Sequence, residues 1–511
     1  MTVRVTTAEQ AAARDAAAIA GGVDSWTLMQ AAGERTAQLI LQRFPDVRTG
    51  GAVIYAGSGN NGGDAYVVAR VLAEARCPLR IVASAEPTTD DARRARDAAL
   101  PRVAEVSEPQ RPAVIIDGLL GVGTKGEIRA ELVPLIAAIA EWHQQGARVV
   151  ALDIPSGIDA SSGAGGSTVR ADLTVTYGTV KRGILLRRDE CGEIVCLDIG
   201  LGAYALLDDG APQLVDAEWV RAAVPPIPAD AHKGVRRRLA IIGGGEGMAG
   251  APMLAARGAM RSGIGMVQLL VQPTNVPVVQ AALPETMAAR WPVTAEDQDR
   301  VLHWAHCLLL GPGLGRTAMT RALIERLLVE WKGPVVLDAD ALNVFEGEPR
   351  TLGSLLGARP AVVTPHPVEA SRLLRRASTD VIAGRFGVEL ELAKQLGATV
   401  LLKGVPTVVA HPDGRVGVSA AGSPTLGMAG SGDVLGGIVA TLLAQTGDPF
   451  AAALAGAWIH GRAGERAAAT GSVRGTSLED VVMALREVWR LDDSPHAAPI
   501  LAQLPAAGQA R

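Results

Sequence analysis

Short apolar runs recur along this chain, and most end in a cluster of glycine, asparagine, aspartate or serine. In the first half they fall at 52–56, 79–83, 114–117, 148–152 and 174–177; in the second at 238–242, 266–271, 307–310, 334–337, 361–363 and 399–402. Runs that are apolar throughout, rather than alternating, read as strands buried on both faces. Between them the apolar positions space out to helical periods. Helices are predicted over 7–20, 25–44, 65–75 and 252–262, and again after the glycine-rich stretch 427–437. Strand, polar turn, helix, strand is the rhythm of an α/β chain with doubly wound parallel sheets. Periodicity lapses over 216–230, where Pro225, Pro226 and Pro228 cluster, and a boundary is placed near Ala222. The expected domains are 1–222 and 223–491, with 492–511, rich in proline and alanine, as a disordered tail. At 511 residues the chain is too long for one core, which agrees with two domains.

Composition narrows the class. Lys plus Arg is 49 against 53 Asp plus Glu, and a net charge of −4 gives no general attraction for nucleic acid or an anionic membrane. With 59 glycines and only 3% aromatics, tight turns and backbone-lined ligand sites are expected. Cys77, Cys191, Cys196 and Cys307 form no CxxC pair, so neither a structural zinc site nor a disulfide framework is indicated. Scattered thiols fit a reducing compartment. The N-terminal residues lack the apolar core of a signal peptide, and no apolar run reaches membrane-spanning length. The expectation is a soluble cytoplasmic enzyme acting on small molecules, homo-oligomeric, with no nucleic-acid or membrane partner.

In the first half, Gly57, Gly59 and Gly62 satisfy GxGxxG between a predicted strand and helix. Alone that pattern suggests a dinucleotide site. The interposed Asn60, Asn61 and Asp64 supply amide and carboxylate oxygens, which suit a hydroxyl-rich ligand or a hard cation. The plainer alternative is a polar turn with asparagines in left-handed conformations. Three successive strand ends carry Asn61 and Asp64, then Asp117, then Asp153 and Ser156, and ligands of open parallel sheets bind at strand ends. The runs GSGNNGGDAYVVAR, IIDGLLGVGTKG, ALDIPSGIDASSG and ADLTVTYGTVKRG, in this order, resemble the NAD(P)H-hydrate epimerase domain, also called the YjeF N-terminal domain. The resemblance implies a Rossmann-like three-layer sheet and a potassium ion held by Asn61, Asp117 and Ser156. It implies that Asn60, Asn61, Gly62, Gly63 and Asp64, the loop Gly121, Val122, Gly123, Thr124, Lys125, Gly126 and Glu127, and Asp153 face the hydrated nucleotide. Ala65 departs from the pattern, standing where a third glycine often follows NNGGD; a methyl there is expected to narrow the site. Epimerising a carbinolamine carbon requires proton movement at its oxygen and ring nitrogen, and Asp153 is the expected acid–base group.

In the second half, Gly245, Gly247 and Gly250 again satisfy GxGxxG, but no acidic residue ends the strand 266–271, which weakens a dinucleotide reading. No GxxxxGK[ST] is present, so the phosphate site falls to Gly427–Gly437 at a helix N-terminus, where free N–H groups attract an anion. Asp433 stands at that mouth as a general base; the alternative is an N-cap. His366 lies between two prolines, where a structural turn is the lesser alternative, and for Lys403 the alternative is a solvated strand end. Asp338 and Asp340 are either caps or magnesium ligands, and His303 and His306 have no third ligand nearby. The blocks AHKG, GMAGAPMLAARGAMRSG, GPGLG, DADALN, TPHPVEA, LKGVPT and GMAGSGDVLGG resemble the ADP-dependent NAD(P)H-hydrate dehydratase domain of the ribokinase superfamily. That resemblance implies a ribokinase-like sheet, adenine-nucleotide binding by Lys403, Gly404, Val405, Pro406, Thr407 and Gly432, and a hydrate pocket lined by Ala251, Gly313, Gly315, His366 and Asp433. Mg²⁺ is expected with the ADP.

Joined, the halves resemble the bifunctional NAD(P)H-hydrate repair enzymes. These imply epimerisation of the R and S hydrates of NADH and NADPH, then ADP-dependent dehydration of the S form, releasing AMP and phosphate. The competing enzyme reading is a vitamin or sugar kinase of the ribokinase superfamily with a non-catalytic N-terminal binding module. A non-enzymatic reading, with the first half as an RNA-associated scaffold, is opposed by the near-neutral charge and the lack of a basic or aromatic stripe.

Overall fold

Two sheets, each with helices on both faces, organise the chain, as seen in a computed structural model that describes residues 3–123, 128–491 and 496–506. The chain divides between Gln213 and Leu214, and the C-terminal segment 496–506 groups with the first unit. The boundary therefore falls ahead of the expected Ala222. The proline-rich interval opens not as a linker but with the helix Ala217–Ala223, capped by Asp216, whose carboxylate accepts from the Trp219 N–H.

In the first unit the strands lie in the order Leu79–Ala83, Ala52–Ala56, Val114–Gly118, Arg148–Leu152, Leu173–Tyr177, Glu193–Leu197 and Ile500–Leu504. All neighbours are parallel except the last pair, which is antiparallel with a register shift between Ile500 and Ala502. The expectation of a disordered tail is thus corrected for 500–504: this segment finds an unpaired sheet edge and satisfies its backbone there. Successive strand residues point to opposite faces. Ile54, Ile116, Val150 and Val175 join a core with Met29, Ile40, Val68 and Leu72 of two helices. Val53, Tyr55, Ile115 and Val149 join a second core with Ile136 and Ile139.

The helix predicted at 65 begins at Asn60 and runs to Glu74, so Asn60, Asn61, Gly62 and Gly63 form its first turn, and neither asparagine is left-handed. Tertiary packing overrides the poor helix propensity of these residues. A Cβ on Gly62 would lie 1.9 Å from the Gly57 carbonyl oxygen, and one on Gly63 2.5 Å from Met29 Cε. Ala65 is fully buried, and a Cβ on Gly118 would come within 2.6 Å of its own Cβ. Its methyl fills the core beneath the strand end, which corrects the expectation that it narrows the site.

In the second unit the order is Met287–Arg290, Met266–Val271, Arg238–Ile242, Cys307–Leu310, Val335–Leu337, Ala361–Val363 and Thr399–Leu402, all parallel, followed by the antiparallel strands Thr407–Ala410 and Val416–Ser419. Leu239, Ile241, Leu309 and Val336 face the helices Gly250–Arg261, Ser431–Thr446 and Pro449–Thr470. Ala240, Ile242, Leu308 and Leu310 face Ala318–Glu330, Pro349–Leu356 and Val388–Leu396. Among the described residues no helix is long and apolar enough to cross a membrane.

Candidate active sites

In the first unit the strand order reverses between Ala52–Ala56 and Val114–Gly118, which opens a crevice beyond their carboxyl ends. Asp117, at the end of the second strand, is fully buried. One of its oxygens accepts from Ser156 Oγ at 2.6 Å and the Leu119 N–H at 3.3 Å; the other accepts from the Ser156 N–H at 2.7 Å. Burial pushes its carboxyl up to about 6, and these hydrogen bonds pull the other way. Ser156 Oγ also accepts from the Leu120 N–H at 3.0 Å, and the Asn61 amide donates to the Leu120 carbonyl at 2.8 Å. The residues Asn61, Asp117 and Ser156 are thereby drawn together around 119–120. Asn61 Oδ1 is buried without a hydrogen-bond partner, an expensive arrangement unless something else coordinates it. An all-oxygen donor set with one unused carbonyl-type oxygen fits a hard monovalent cation.

Asp153 ends the neighbouring strand with φ of 61°, a left-handed conformation uncommon outside glycine. Its N–H is fixed by the Val175 carbonyl at 2.7 Å, and its Oδ1 accepts from Lys181 Nζ at 2.5 Å and Thr176 Oγ1 at 3.1 Å. Asp153 and Lys181 are both buried. Burial, then the charges of Asp153 and Asp15, pushes the Asp64 carboxyl well above the usual range, with Lys181 opposing. Asp15 is raised in the same way, by burial first. Gly121 packs on Asn61: a Cβ there would sit 3.1 Å from the Asn61 Cβ. Asn60 faces the other way, its Oδ1 accepting from the exposed Thr89 hydroxyl at 2.8 Å. Val122 and Gly123 continue the turn, and Thr124, Lys125, Gly126 and Glu127 lie outside the described residues. Neither Lys181 nor Asp15 stands out by spacing, although Lys181 closes the run TYGTVK.

The second unit reverses its strand order between Arg238–Ile242 and Cys307–Leu310. The loops leaving them are stitched by Gly244 and Gly245 N–H groups to the Pro312 and Gly313 carbonyls, at 2.9 and 2.6 Å. Gly313 has φ of 58°, and a Cβ there would come within 3.1 Å of Ala251, so a wider side chain would fill the crevice. The Gly315 N–H donates to Asp340 at 2.8 Å, and Arg316 Nε to the same carboxylate at 3.2 Å.

Farther along the rim, Lys403 Nζ donates to the buried Asp338 at 2.8 Å and lies 3.7 Å from Glu369. Lys403 is therefore not a solvated strand end. Burial works against its ammonium, but Asp338, Glu369 and Asp433 outweigh it and hold it above the ordinary lysine value. Gly430, with φ of 91°, turns the chain into the helix Ser431–Thr446. A Cβ on Gly432 would lie 3.3 Å from Lys403 Nζ and 3.9 Å from Asp338 Oδ2. Asp433 stands in that helix's first turn, its carboxyl raised to about 7, by burial first, then by Asp338, with Lys403 opposing and Glu369 and Asp340 adding. His366 is the N-cap of Pro367–Leu374: its Nδ1 accepts from the Val368 and Glu369 N–H groups at 3.0 and 3.3 Å. Burial and the Lys403 charge lower its pKa, and its Nε2 lies 3.5 Å from Glu369 Oε1.

Two residues without a sequence signal complete the rim. The buried Arg385 donates to the Pro406 carbonyl at 2.7 Å and the Lys403 carbonyl at 3.3 Å, fixing Lys403, Gly404, Val405, Pro406 and Thr407 as one loop. Thr407 Oγ1 closes the loop on the Gly404 carbonyl at 3.0 Å. His460, held uncharged at about 4 by burial, pairs with Ser431 Oγ at 3.2 Å under the glycine turn. His306 accepts the Arg238 N–H at 3.1 Å, and among the described residues no three histidine, cysteine or acidic side chains gather as a metal cage.

A family profile described as YjeF-related protein N-terminus matches residues 25–183, and one described as NAD(P)H-hydrate dehydratase matches 239–486. A Coxiella burnetii protein named bifunctional NAD(P)H-hydrate repair enzyme Nnr is 35% identical over 482 residues, covering 92% of this chain and 96% of its own. The chain belongs to the bifunctional NAD(P)H-hydrate repair enzyme family. The Escherichia coli protein of the same name is 34% identical over 496 residues, covering 94% of this chain and 93% of its own. Among solved structures, an ADP/ATP-dependent NAD(P)H-hydrate dehydratase from Bacillus subtilis, co-crystallized with ATP/Mg²⁺, is 29% identical with a TM-score of 0.48, covering 54% of this chain and 97% of that one.

Proposed function

We propose that this chain restores hydrated NADH and NADPH in two steps, one per unit. The first unit interconverts the R and S hydrates. The second dehydrates the S form at the expense of ADP, with AMP and phosphate as products. The observation that carries this reading is Asp433: a half-buried carboxyl raised to about 7, beside the N–H groups that open a helix and beside Lys403. A base of that strength next to an anion hole suits phosphoryl transfer to a hydroxyl.

In the second unit, Asp433 accepts the proton of the hydrate hydroxyl as that oxygen attacks the terminal phosphorus of ADP. The P–O bond to AMP breaks. The N–H groups of Gly430–Gly432 and the Lys403 ammonium stabilise the charge on the transferring group. Phosphate then leaves with its bonding electrons, driven by the ring nitrogen, which forms C=N; the adjacent ring carbon then gives up a proton to water, its C–H electrons form the ring C=C, and the dihydronicotinamide is regenerated. Hydroxide is a poor leaving group and phosphate a good one, which is why a nucleotide is consumed. Mg²⁺, held mainly by nucleotide phosphates with Asp338 or Asp340 nearby, would neutralise phosphate charge and needs no all-protein cage.

In the first unit, Asp153 exchanges protons with the carbinolamine oxygen, and Asn61, Asp117 and Ser156 would hold potassium. That ion would keep substrate oxygens in register. The reading places the enzyme in the cytoplasm, as a homo-oligomer without nucleic-acid or membrane partners. A kinase with an inert first unit would instead release a stable phosphorylated product. The test is incubation with a mixed-epimer hydrate, with and without ADP. Full return of nicotinamide absorbance with ADP, beyond the S fraction, supports both activities; a persistent phosphorylated product by mass spectrometry overturns the dehydratase.

A further inference from the structure

One buried cation in the first unit is not explained by packing. Lys181 ends the two-residue strand Val180–Lys181 and is buried. It donates to Asp153 Oδ1 at 2.5 Å, Thr176 Oγ1 at 3.0 Å, and the Tyr177 and Thr179 carbonyls at 3.2 and 3.4 Å. Thr176 Oγ1 contacts the same carboxylate oxygen at 3.1 Å. The ammonium is thus anchored from one side by a strand end and turned with its charge onto a single oxygen. Asp153 itself is held in a left-handed conformation, with its N–H tied to Val175. Burying an ion pair and straining a backbone are both unfavourable, and a chain that does both at one residue has fixed that carboxylate for a purpose.

We propose that Lys181 is the positioning residue of the epimerisation site: clamped by Thr176, Tyr177 and Thr179, its ammonium aims the Asp153 side chain that exchanges protons with the hydrate. This rests on the epimerase reading above. The surroundings show why a cation is needed. The Asp153 charge reaches Asp15 on the helix Ala8–Ala20, Asp64 on the helix Asn60–Glu74, and Tyr177 and Cys196 on the strands. Burial raises Asp15, Asp64 and Cys196, and Lys181 opposes that rise in all three, so its field covers the whole cluster. Three carboxyls share one ammonium, and Asp64 binds its proton more tightly than an ordinary carboxyl. The arrangement leaves a base at Asp153 and an acid at Asp64. The C–O bond of the carbinolamine breaks with its electron pair going to oxygen, which takes a proton and departs as water. The ring-nitrogen lone pair forms C=N, and water re-adds to the opposite face, giving its proton to the base. Nothing is oxidised or reduced, and no co-reactant is used.

The test uses the full chain without ADP, following R and S hydrates by chromatography from about pH 5.5 to about pH 9. Lys181→Met is expected to lower kcat at neutral pH by about tenfold or more, with KM changed less than about twofold. The acid limb of its pH–rate profile is expected to move upward, so that part of the loss returns at high pH; Lys181→Arg keeps the wild-type limb. Should Lys181→Met fail to fold, Lys181→Gln, which can still donate to the strand carbonyls, is expected to show the same displaced limb. A uniform loss with an unmoved limb in the neutral variants, or a wild-type rate, overturns the inference alone. A wild-type chain with no epimerisation overturns the epimerase reading and the inference with it.

Discussion

Asp433 has the strength of base that a reaction at neutral pH wants, and the sign of its pH dependence follows. A general base works deprotonated, so ADP-dependent dehydration should fall as pH drops through about 7 and level off above it. Below that value kcat should lose about tenfold per pH unit, read from initial rates of nicotinamide recovery. Asp433→Asn keeps the shape and removes the base. Its expected effect is a loss of roughly 10²- to 10⁴-fold in dehydration with epimerisation intact, and an equal loss of both activities contradicts two separate sites. Asn61 supports a different residue-scale expectation. Its Oδ1 is buried without a hydrogen-bond partner. Exchange of potassium for a bulky organic cation should slow epimerisation and spare dehydration. Asn61→Ala should raise the potassium concentration needed for half-maximal rate; an unchanged titration would remove Asn61 from the ion's shell.

Helices carry both sites, and glycine decides how closely they approach the layers beneath. A Cβ on Gly437 would lie 1.9 Å from the Ala255 carbonyl oxygen, and one on Gly258 2.3 Å from that of Val434. These glycines let Gly250–Arg261 and Ser431–Thr446 pack backbone to backbone, which sets Asp433 against the rim. Alanine at either should destabilise the second unit by about 1–3 kcal/mol, seen as an earlier thermal transition and partial loss of dehydration. A variant of unchanged stability would mean that the helices slide apart freely. The strands were legible in the sequence because runs such as AVIYA, RLAII and CLLL, buried on both sides, have no other home. The start of the helix at Asn60 was not, since asparagine and glycine are weak helix formers and contacts with Gly57, Met29, Thr89 and Leu120 hold them there. His366 as a cap was readable from Pro367 and Glu369, the proline at the first position and the carboxylate that returns to its N–H at 2.8 Å.

Across the whole chain, what the sequence displays is local and what it conceals is distant. Asn61, Asp117 and Ser156 lie in dense motifs that follow strands, and Asp433 lies in a glycine-rich motif at a helix start, so their placement was legible from local sequence. Lys181 meets Asp153 across 28 positions, His460 meets Ser431 across 29, and Arg385 reaches Pro406 across 21. No periodicity encodes those pairings. The C-terminal strand is the extreme case: Gln503 donates to Glu193 at 2.6 Å across 310 positions, and composition alone pointed to disorder. Ile500–Leu504 covers the edge Glu193–Leu197, and Ile500 packs on the first unit's core. An uncovered edge is both a lost ladder and a template for aggregation. A chain ending at 495 should therefore lose on the order of 2 kcal/mol from the first unit, since half-burying two aliphatic side chains contributes about that much. Calorimetry should show the loss as an earlier transition, and light scattering should show concentration-dependent association that charged substitutions on Glu193–Leu197 suppress. Epimerisation should decay faster on warming while ADP-dependent dehydration keeps its half-life. If the shortened chain melts and scatters as the full one does, the strand is an ornament of the edge and the first unit closes its sheet without it.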